Sequence, residues 1–270
     1  MKDIPYQLHY QKTGQGPPFL LIHGFASSAF TWRHIVDAFR DRYTVWTVDL
    51  LGHGQSPKPS CADYSIDQQA DLIRQFIRSN QLQNLTIAGH SFGGGVTLRM
   101  AIDFVREDPG IIQKIVLIGS AAFEQEFPPF IKILRRPILG RILPRMVPPR
   151  LCGRRAVHFA CHDQTRITKD QIEGWASPMR AKGIHESLRK TALQILPANL
   201  DELVSRYPEL DIPTLLIWGR HDPIVPLQVG EKLHSALPNS TLHIVDDCGH
   251  LPHEEFPDQS ISIISEFLDR

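Results

Sequence analysis

The stretch Leu85-Thr86-Ile87-Ala88-Gly89-His90-Ser91-Phe92-Gly93-Gly94-Gly95-Val96 changes its hydrophobic period in the middle. Leu85 to Ala88 is a short apolar run of the kind that forms a buried strand. From Gly94 onward, Val96, Met100 and Phe104 recur at helical spacing. Between the two lies Gly89-His90-Ser91-Phe92-Gly93, a G-x-S-x-G on the turn from strand to helix. A serine on so tight a turn is held in a strained backbone conformation, with its hydroxyl exposed at the carboxyl end of the sheet. The flanking glycines follow from the same geometry, because a Cβ there would collide with neighbouring backbone. The helix that follows points its free N–H groups and the positive end of its dipole at the serine. The competing reading is a glycine-rich turn with a capping serine.

Similar apolar runs lie on both sides. Phe19 to Ile22, ended by His23-Gly24, and Val45 to Val48 come before it; Ile115 to Ile118, Thr214 to Trp218 and Leu242 to Val245 come after. They are rich in β-branched residues and bounded by Gly, Asp or Pro, as strands covered on both faces should be. Amphipathic patterns alternate with them: Ile66, Ala70, Ile73 and Ile77 behind the N-cap candidate Ser65, and Ile261, Ile264 and Leu268 near residue 270. Strand–helix alternation predicts an α/β fold with a mostly parallel sheet and helices on both faces. Tyr6 to Tyr10 is a weaker strand, expected antiparallel at the edge.

One segment breaks the rhythm. From about residue 121 to 207 no strand pattern occurs, and Pro128, Pro129, Pro137, Pro144, Pro148 and Pro149 cut the chain into short pieces. Between Phe127 and His162 there is no Asp or Glu, but there are Lys132, Arg135, Arg136, Arg141, Arg145, Arg150, Arg154 and Arg155, a local charge of +8. Residues 121–207 are therefore expected to form a helical cap inserted into a core made of residues 1–120 and 208–270.

Composition narrows the class. The 270 residues are 42% hydrophobic and 21% charged, as in ordinary globular chains. Lys and Arg total 29 and so do Asp and Glu, so the net charge is zero and nothing suggests a nucleic-acid partner. Cys61, Cys152, Cys161 and Cys248 are scattered without C-x-x-C spacing, which outlines neither a metal site nor a disulfide framework. No apolar run approaches the roughly 18 residues of a membrane span, and Met1-Lys2-Asp3-Ile4-Pro5 lacks a signal-peptide pattern. A cytoplasmic setting is the expectation; the oligomeric state is not legible.

A serine hydroxyl is a poor nucleophile until a base takes its proton, and that base is best a histidine oriented by an acid. Cys248-Gly249-His250 follows the last strand run, and Gly219-Arg220-His221-Asp222 follows the fifth. Both loops reach the carboxyl edge of the sheet. Ser91, Asp222 and His250 thus form the candidate catalytic triad. His253 is the rival base, and Asp246 and Asp247 the rival acids; they rank lower because they share the His250 loop. The developing oxyanion needs backbone N–H donors. Phe92, next to the nucleophile, supplies one, and Phe25, in the turn after the first strand run, is chosen for the other.

These motifs, with Asp49-Leu50-Leu51-Gly52-His53-Gly54-Gln55-Ser56, resemble those of the α/β-hydrolase family. They cover nearly all of the chain except the cap. The resemblance implies an eight-stranded sheet, a serine on a nucleophile elbow, a cap inserted after the sixth strand, and no metal or organic cofactor. It gives the Asp49–Ser56 loop a structural role and makes His23 and His90 positional. Serine at the elbow points away from halide- and epoxide-processing members, which use aspartate there. A serine esterase or lipase-like enzyme acting on carboxylic esters or thioesters fits best. The alternatives are a hydrolase cleaving a carbon–carbon bond in ring-opened aromatic dienoates and a low-turnover binding or signalling protein. The first often carries Trp after the catalytic His, where Leu251 stands here; perhydrolase-like members often carry Met where Phe92 stands.

The cap should set the substrate. Phe127, Phe130, Ile131, Leu134, Ile138, Leu139 and Ile142 offer apolar surface at roughly helical spacing, with arginines between. Three readings are open: arginine stems snorkelling over an apolar acyl pocket, peripheral contact with an anionic membrane, and steering of an anionic substrate.

Overall fold

The computed structural model describes residues 6–270. All six apolar runs become strands, and with one more they form a single sheet: β1 (Tyr10–Thr13), β2 (Pro18–Ile22), β3 (Thr44–Val48), β4 (Leu85–His90), β5 (Ile112–Ile118), β6 (Thr214–Gly219) and β7 (Ser240–Val245). The order is β1-β3-β2-β4-β5-β6-β7, with β1 antiparallel to β3 and every other pairing parallel. The expected antiparallel edge strand is present but starts at Tyr10, not Tyr6. Residues 6–9 join no ladder as strand; His9 gives its N–H to the Ser56 hydroxyl instead. Among the described residues the sheet therefore has seven strands, not the eight expected.

The helices are α1 (Arg33–Phe39), α2 (Ile66–Ser79), α3 (Phe92–Glu107), α4 (Pro129–Arg135), α5 (Leu139–Met146), α6 (Pro149–Ala160), α7 (Lys169–Ala176), α8 (Ile184–Leu193), α9 (Leu200–Ser205), α10 (Leu227–Ala236), α11 (Pro252–Glu255) and α12 (Pro257–Leu268). Alternation along β2 assigns the layers. Leu20 and Ile22 join the core shared with Ile73 and Phe76 of α2, Met100 of α3 and Leu233 of α10. Phe19 and Leu21 face the other way, against Ile35 and Phe39 of α1 and Ile264 of α12. Burial on both faces is why these strands read as unbroken apolar runs. Ser65 caps α2, its hydroxyl accepting from Gln68 N–H at 3.2 Å. Between β5 and β6 the described chain makes helices and no strand.

Strand order reverses between β2 and β4. From β2 the chain moves outward to β3, then crosses back to β4 and proceeds the other way. Loops leaving the carboxyl ends of strands on either side of such a reversal diverge and leave a crevice. The turn after β2 and the turn after β4 flank it: a Cβ built on Gly24 would lie 3.0 Å from the Ser91 Cβ. At the end of β6, Gly219 meets the loop after β7 so closely that a Cβ would fall 1.9 Å from the Gly249 carbonyl oxygen and 2.5 Å from that of Cys248.

That contact is backbone against backbone, so neither side can rotate away. Gly219→Ala is expected to lower stability by about 3 kcal/mol, the upper end of ordinary overpacking. Urea unfolding measures it; an unchanged midpoint would contradict this packing.

Candidate active site

Ser91 stands between β4 and α3 at φ 53° and ψ −119°. Residues with side chains avoid that region, and holding one there costs on the order of 1–3 kcal/mol. The cost is met by close packing. The Ser91 N–H donates to Ile118 O at 3.0 Å, and its carbonyl accepts from the N–H groups of Gly94, Gly95 and Ala121. A Cβ on Gly93 would lie 2.4 Å from the carbonyl oxygens of Ile22 and His23, and one on Gly89 would lie 2.5 Å from Thr97 Oγ1. The flanking glycines are there for the collision the sequence implied.

His250 and Asp222 meet across two loops. The His250 Nδ1 to Asp222 Oδ2 distance is 2.7 Å, and both side chains are buried. The other carboxylate oxygen, Oδ1, accepts from the N–H groups of Ile224 and Val225 at 2.8 Å each. Asp222 is thus at once a turn residue and the partner of the imidazole. With Nδ1–H donated to the carboxylate, Nε2 keeps its lone pair. The Ser91 hydroxyl has no hydrogen-bond partner among the described residues. It and His250 line the same cavity.

That cavity has a volume of about 630 Å³. Its walls are largely apolar and come from both the sheet edge and helices α4 to α7, among them Phe25, Phe130, Leu134, Phe159 and Trp175. Phe25 and Phe92 both line it, and neither backbone N–H has a hydrogen-bond partner among the described residues. These two N–H groups sit beside the serine. The Phe25 ring packs against Phe130 and His53, so its side chain serves the wall while its amide stays available.

The rivals are employed elsewhere. His253 is fully buried, stacks on Trp32 at 4.7 Å and bonds through Nε2 to Thr31 Oγ1 at 2.9 Å. Asp246 is exposed and pairs with Arg220, and Asp247 is exposed. His23 gives Nδ1–H to Gly24 O at 2.7 Å and accepts the Leu50 N–H at Nε2, tying two turns together. Asp49 accepts from Ala29 and Gln55 N–H, which closes the Asp49–Ser56 loop upon itself. Cys248 is buried, and burial pushes its thiol pKa well up, so it packs as an inert small hydrophobe.

Three residues hold the His250 loop: His90, read from the resemblance as positional, and Ala160 and Glu255, which sequence reasoning passed over. His90 donates Nε2–H to the His250 carbonyl at 3.0 Å. The His250 N–H donates to Ala160 O, at the end of α6, at 2.7 Å. Glu255, 2% exposed, accepts from Gly249 N–H at 2.9 Å and from the N–H groups of His162 and Asp163. Beside it Glu254 accepts from Trp175 Nε1, Gln171 Nε2 and Arg33. The helices between β5 and β6 and the His250 loop are therefore stitched by buried carboxylates. A Glu-Glu pair in sequence reads as surface, and only a fold that buries both reveals the task.

Among the described residues one group has metal-ligand spacing: His162, His221 and Asp247, all exposed, with ligand atoms within 4.8 Å. The two imidazoles stack at 4.1 Å with an interplanar angle of 18°. Planes so nearly parallel do not meet within the roughly 2 Å of a metal–nitrogen bond, so the rings are not set to share one ion.

Residues 19–262 match the model of the alpha/beta hydrolase family. The chain belongs to that family. Among curated relatives, an uncharacterised hydrolase of Bacillus subtilis, YugF, is 29% identical over 97% of this chain and 93% of its own length. A 2-hydroxy-6-oxononadienedioate/2-hydroxy-6-oxononatrienedioate hydrolase of Paraburkholderia xenovorans is 26% identical over 98% of this chain and 92% of its own. A thermophilic esterase from Thermogutta terrifontis has the same fold, with a TM-score of 0.82 at 24% identity, covering 99% of this chain and 96% of that one.

Four buried histidines give this hydrolase a pH signature. Burial lowers the pKa of His23, His90 and His253, and takes His53 to about 3. Below about pH 6.5 the unfolded chain binds protons at these sites that the folded chain refuses. Stability present above that pH is lost as the pH falls, by up to about 1.4 kcal/mol per unit for each histidine. The urea midpoint should fall between pH 7 and pH 5, and less steeply in His53→Gln. A midpoint flat over this range would contradict neutral burial.

Proposed function

We propose that the protein is a serine hydrolase that cleaves carboxylic esters, thioesters included, through an acyl-enzyme. Ser91 Oγ attacks the ester carbonyl as its proton passes to His250 Nε2. Asp222 holds the ring in the required tautomer and stabilises the imidazolium that forms. The N–H groups of Phe25 and Phe92 receive the oxyanion; losing one such donor typically costs about 10²–10³ in rate. The imidazolium returns the proton to the departing alcohol, and water then attacks the acyl-enzyme with His250 again as base. Ester and water become acid and alcohol. Residues 121–207 serve as the cap, with an apolar acyl group lying against their inner side.

The observation that carries this reading is the 2.7 Å contact between His250 and Asp222 beside a strained serine, on the wall of one apolar cavity. The relative named for dienedioate hydrolysis raises carbon–carbon cleavage of a dicarboxylate as the second reading. Arg155 is the one Lys or Arg among the residues lining the cavity, against two carboxylates on such a substrate. The mainly apolar wall favours an ester with an apolar acyl chain.

Ser91→Ala is expected to fold as the parent and lose at least about 10⁴-fold in kcat on an aryl acetate. Asp222→Asn leaves an oxygen for the Ile224 and Val225 amides but sets an amide where the ring needs an acceptor, and should lose about 10⁴-fold as well. Parent-like turnover in either variant would remove the triad. An acyl-length series of aryl esters, run beside a dienoate, separates the two chemistries by product.

A further inference from the structure

We propose that the outward face of α5 docks on an anionic lipid surface, and that the esters the enzyme takes are drawn from that surface into the cavity. The second half rests on the proposed ester hydrolysis; the first does not.

Of the ten large apolar side chains that stand exposed among the described residues, eight lie between Phe130 and Phe159. Exposed apolar residues scattered singly are ordinary, but a contiguous patch marks a contact surface. Ile138, Ile142 and Met146 are spaced four apart and so form one stripe along α5. They are 70%, 53% and 72% exposed, and Leu139 beside them is 53% exposed. Had arginine stems covered this surface by snorkelling, these side chains would be shielded; they are not.

The same helix forms the cavity wall. Leu143, Pro144 and Val147 line the interior, and Leu143 is also 43% exposed, which places it at the rim. An apolar acyl chain passing this rim need not cross open water.

Charge selects the occupant. Residues 127–162 carry +8 with no acid among them. Arg136, Arg141, Arg150 and Arg154 are exposed, and none has an acidic partner among the described residues. A second copy meeting this face with its own would set +8 against +8. An anionic bilayer supplies an apolar interior for the stripe and headgroups for the arginines, each worth roughly 1 kcal/mol, about fivefold in partitioning. No described helix is long and apolar enough to cross a membrane, so the contact is at the surface.

Co-sedimentation of the full chain with vesicles of phosphatidylcholine, alone or mixed with phosphatidylglycerol, tests this. Binding should require phosphatidylglycerol and weaken with salt. Arg136→Glu with Arg141→Glu should weaken it at least about 25-fold. Ile138→Ser, Ile142→Ser and Met146→Ser together should abolish it, while melting stays cooperative and aryl acetate turnover is retained, since none of the three lines the cavity. Hydrolysis of a vesicle-borne long-chain ester should fall in step with binding. No binding to anionic vesicles at low salt, equal binding to neutral ones, or binding indifferent to these variants overturns the proposal. Ser91→Ala should bind as the parent does. Vesicle binding without hydrolysis of any ester would leave the docking standing and remove the ester reading.

Discussion

Ser91 occupies a backbone conformation, φ 53° and ψ −119°, that costs free energy and that the surrounding structure must enforce. Enforcement comes from the parallel sheet. Strand β4 delivers the chain at the centre, β5 accepts the Ser91 N–H through Ile118, and α3 departs at once against the end of β2. Such an approach leaves no room for a Cβ at Gly89 or Gly93. The constraint places the hydroxyl at the strand-order reversal, where the turn after β2 contributes Phe25. Relaxing the turn to an ordinary conformation would swing the serine out of the crevice.

The helices between β5 and β6 do more than wall the cavity. Ala160 at the end of α6 accepts the backbone N–H of His250, and Glu255 ties Gly249 to His162 and Asp163. The position of the proposed base therefore depends on the insertion being seated. Its inner side supplies apolar wall and its outer side an exposed stripe among unpaired arginines.

Much of this is legible in the sequence because it rests on local pattern. Both-face burial writes strands as unbroken apolar runs, and the elbow needs glycines at fixed offsets from Ser91. Asp222 and His250 stand in the loops that follow strand runs, so they are placed once the sheet is. What pattern leaves out is tertiary. Glu254 and Glu255 look like surface acids until α11 is buried beneath the insertion, and His90 looks like an ordinary neighbour of the serine until its ring reaches the His250 carbonyl. The edge strand starts at Tyr10 because His9 gives its N–H to Ser56, a partner 47 residues away. Which side of α5 faces water depends on how the insertion settles, and the apolar spacing of Ile138 and Ile142 is the same whether it points in or out.

The central claim is that the Ser91 oxygen becomes covalently acylated. Rapid acid quench of the enzyme during turnover of an aryl ester, followed by peptide mass mapping, observes this directly. The account predicts the acyl mass on the peptide that carries Ser91, and its disappearance on Ser91→Ala. Turnover at the parent rate with the acyl group on another residue, or with no acyl-enzyme in either the burst or the steady state, would contradict it.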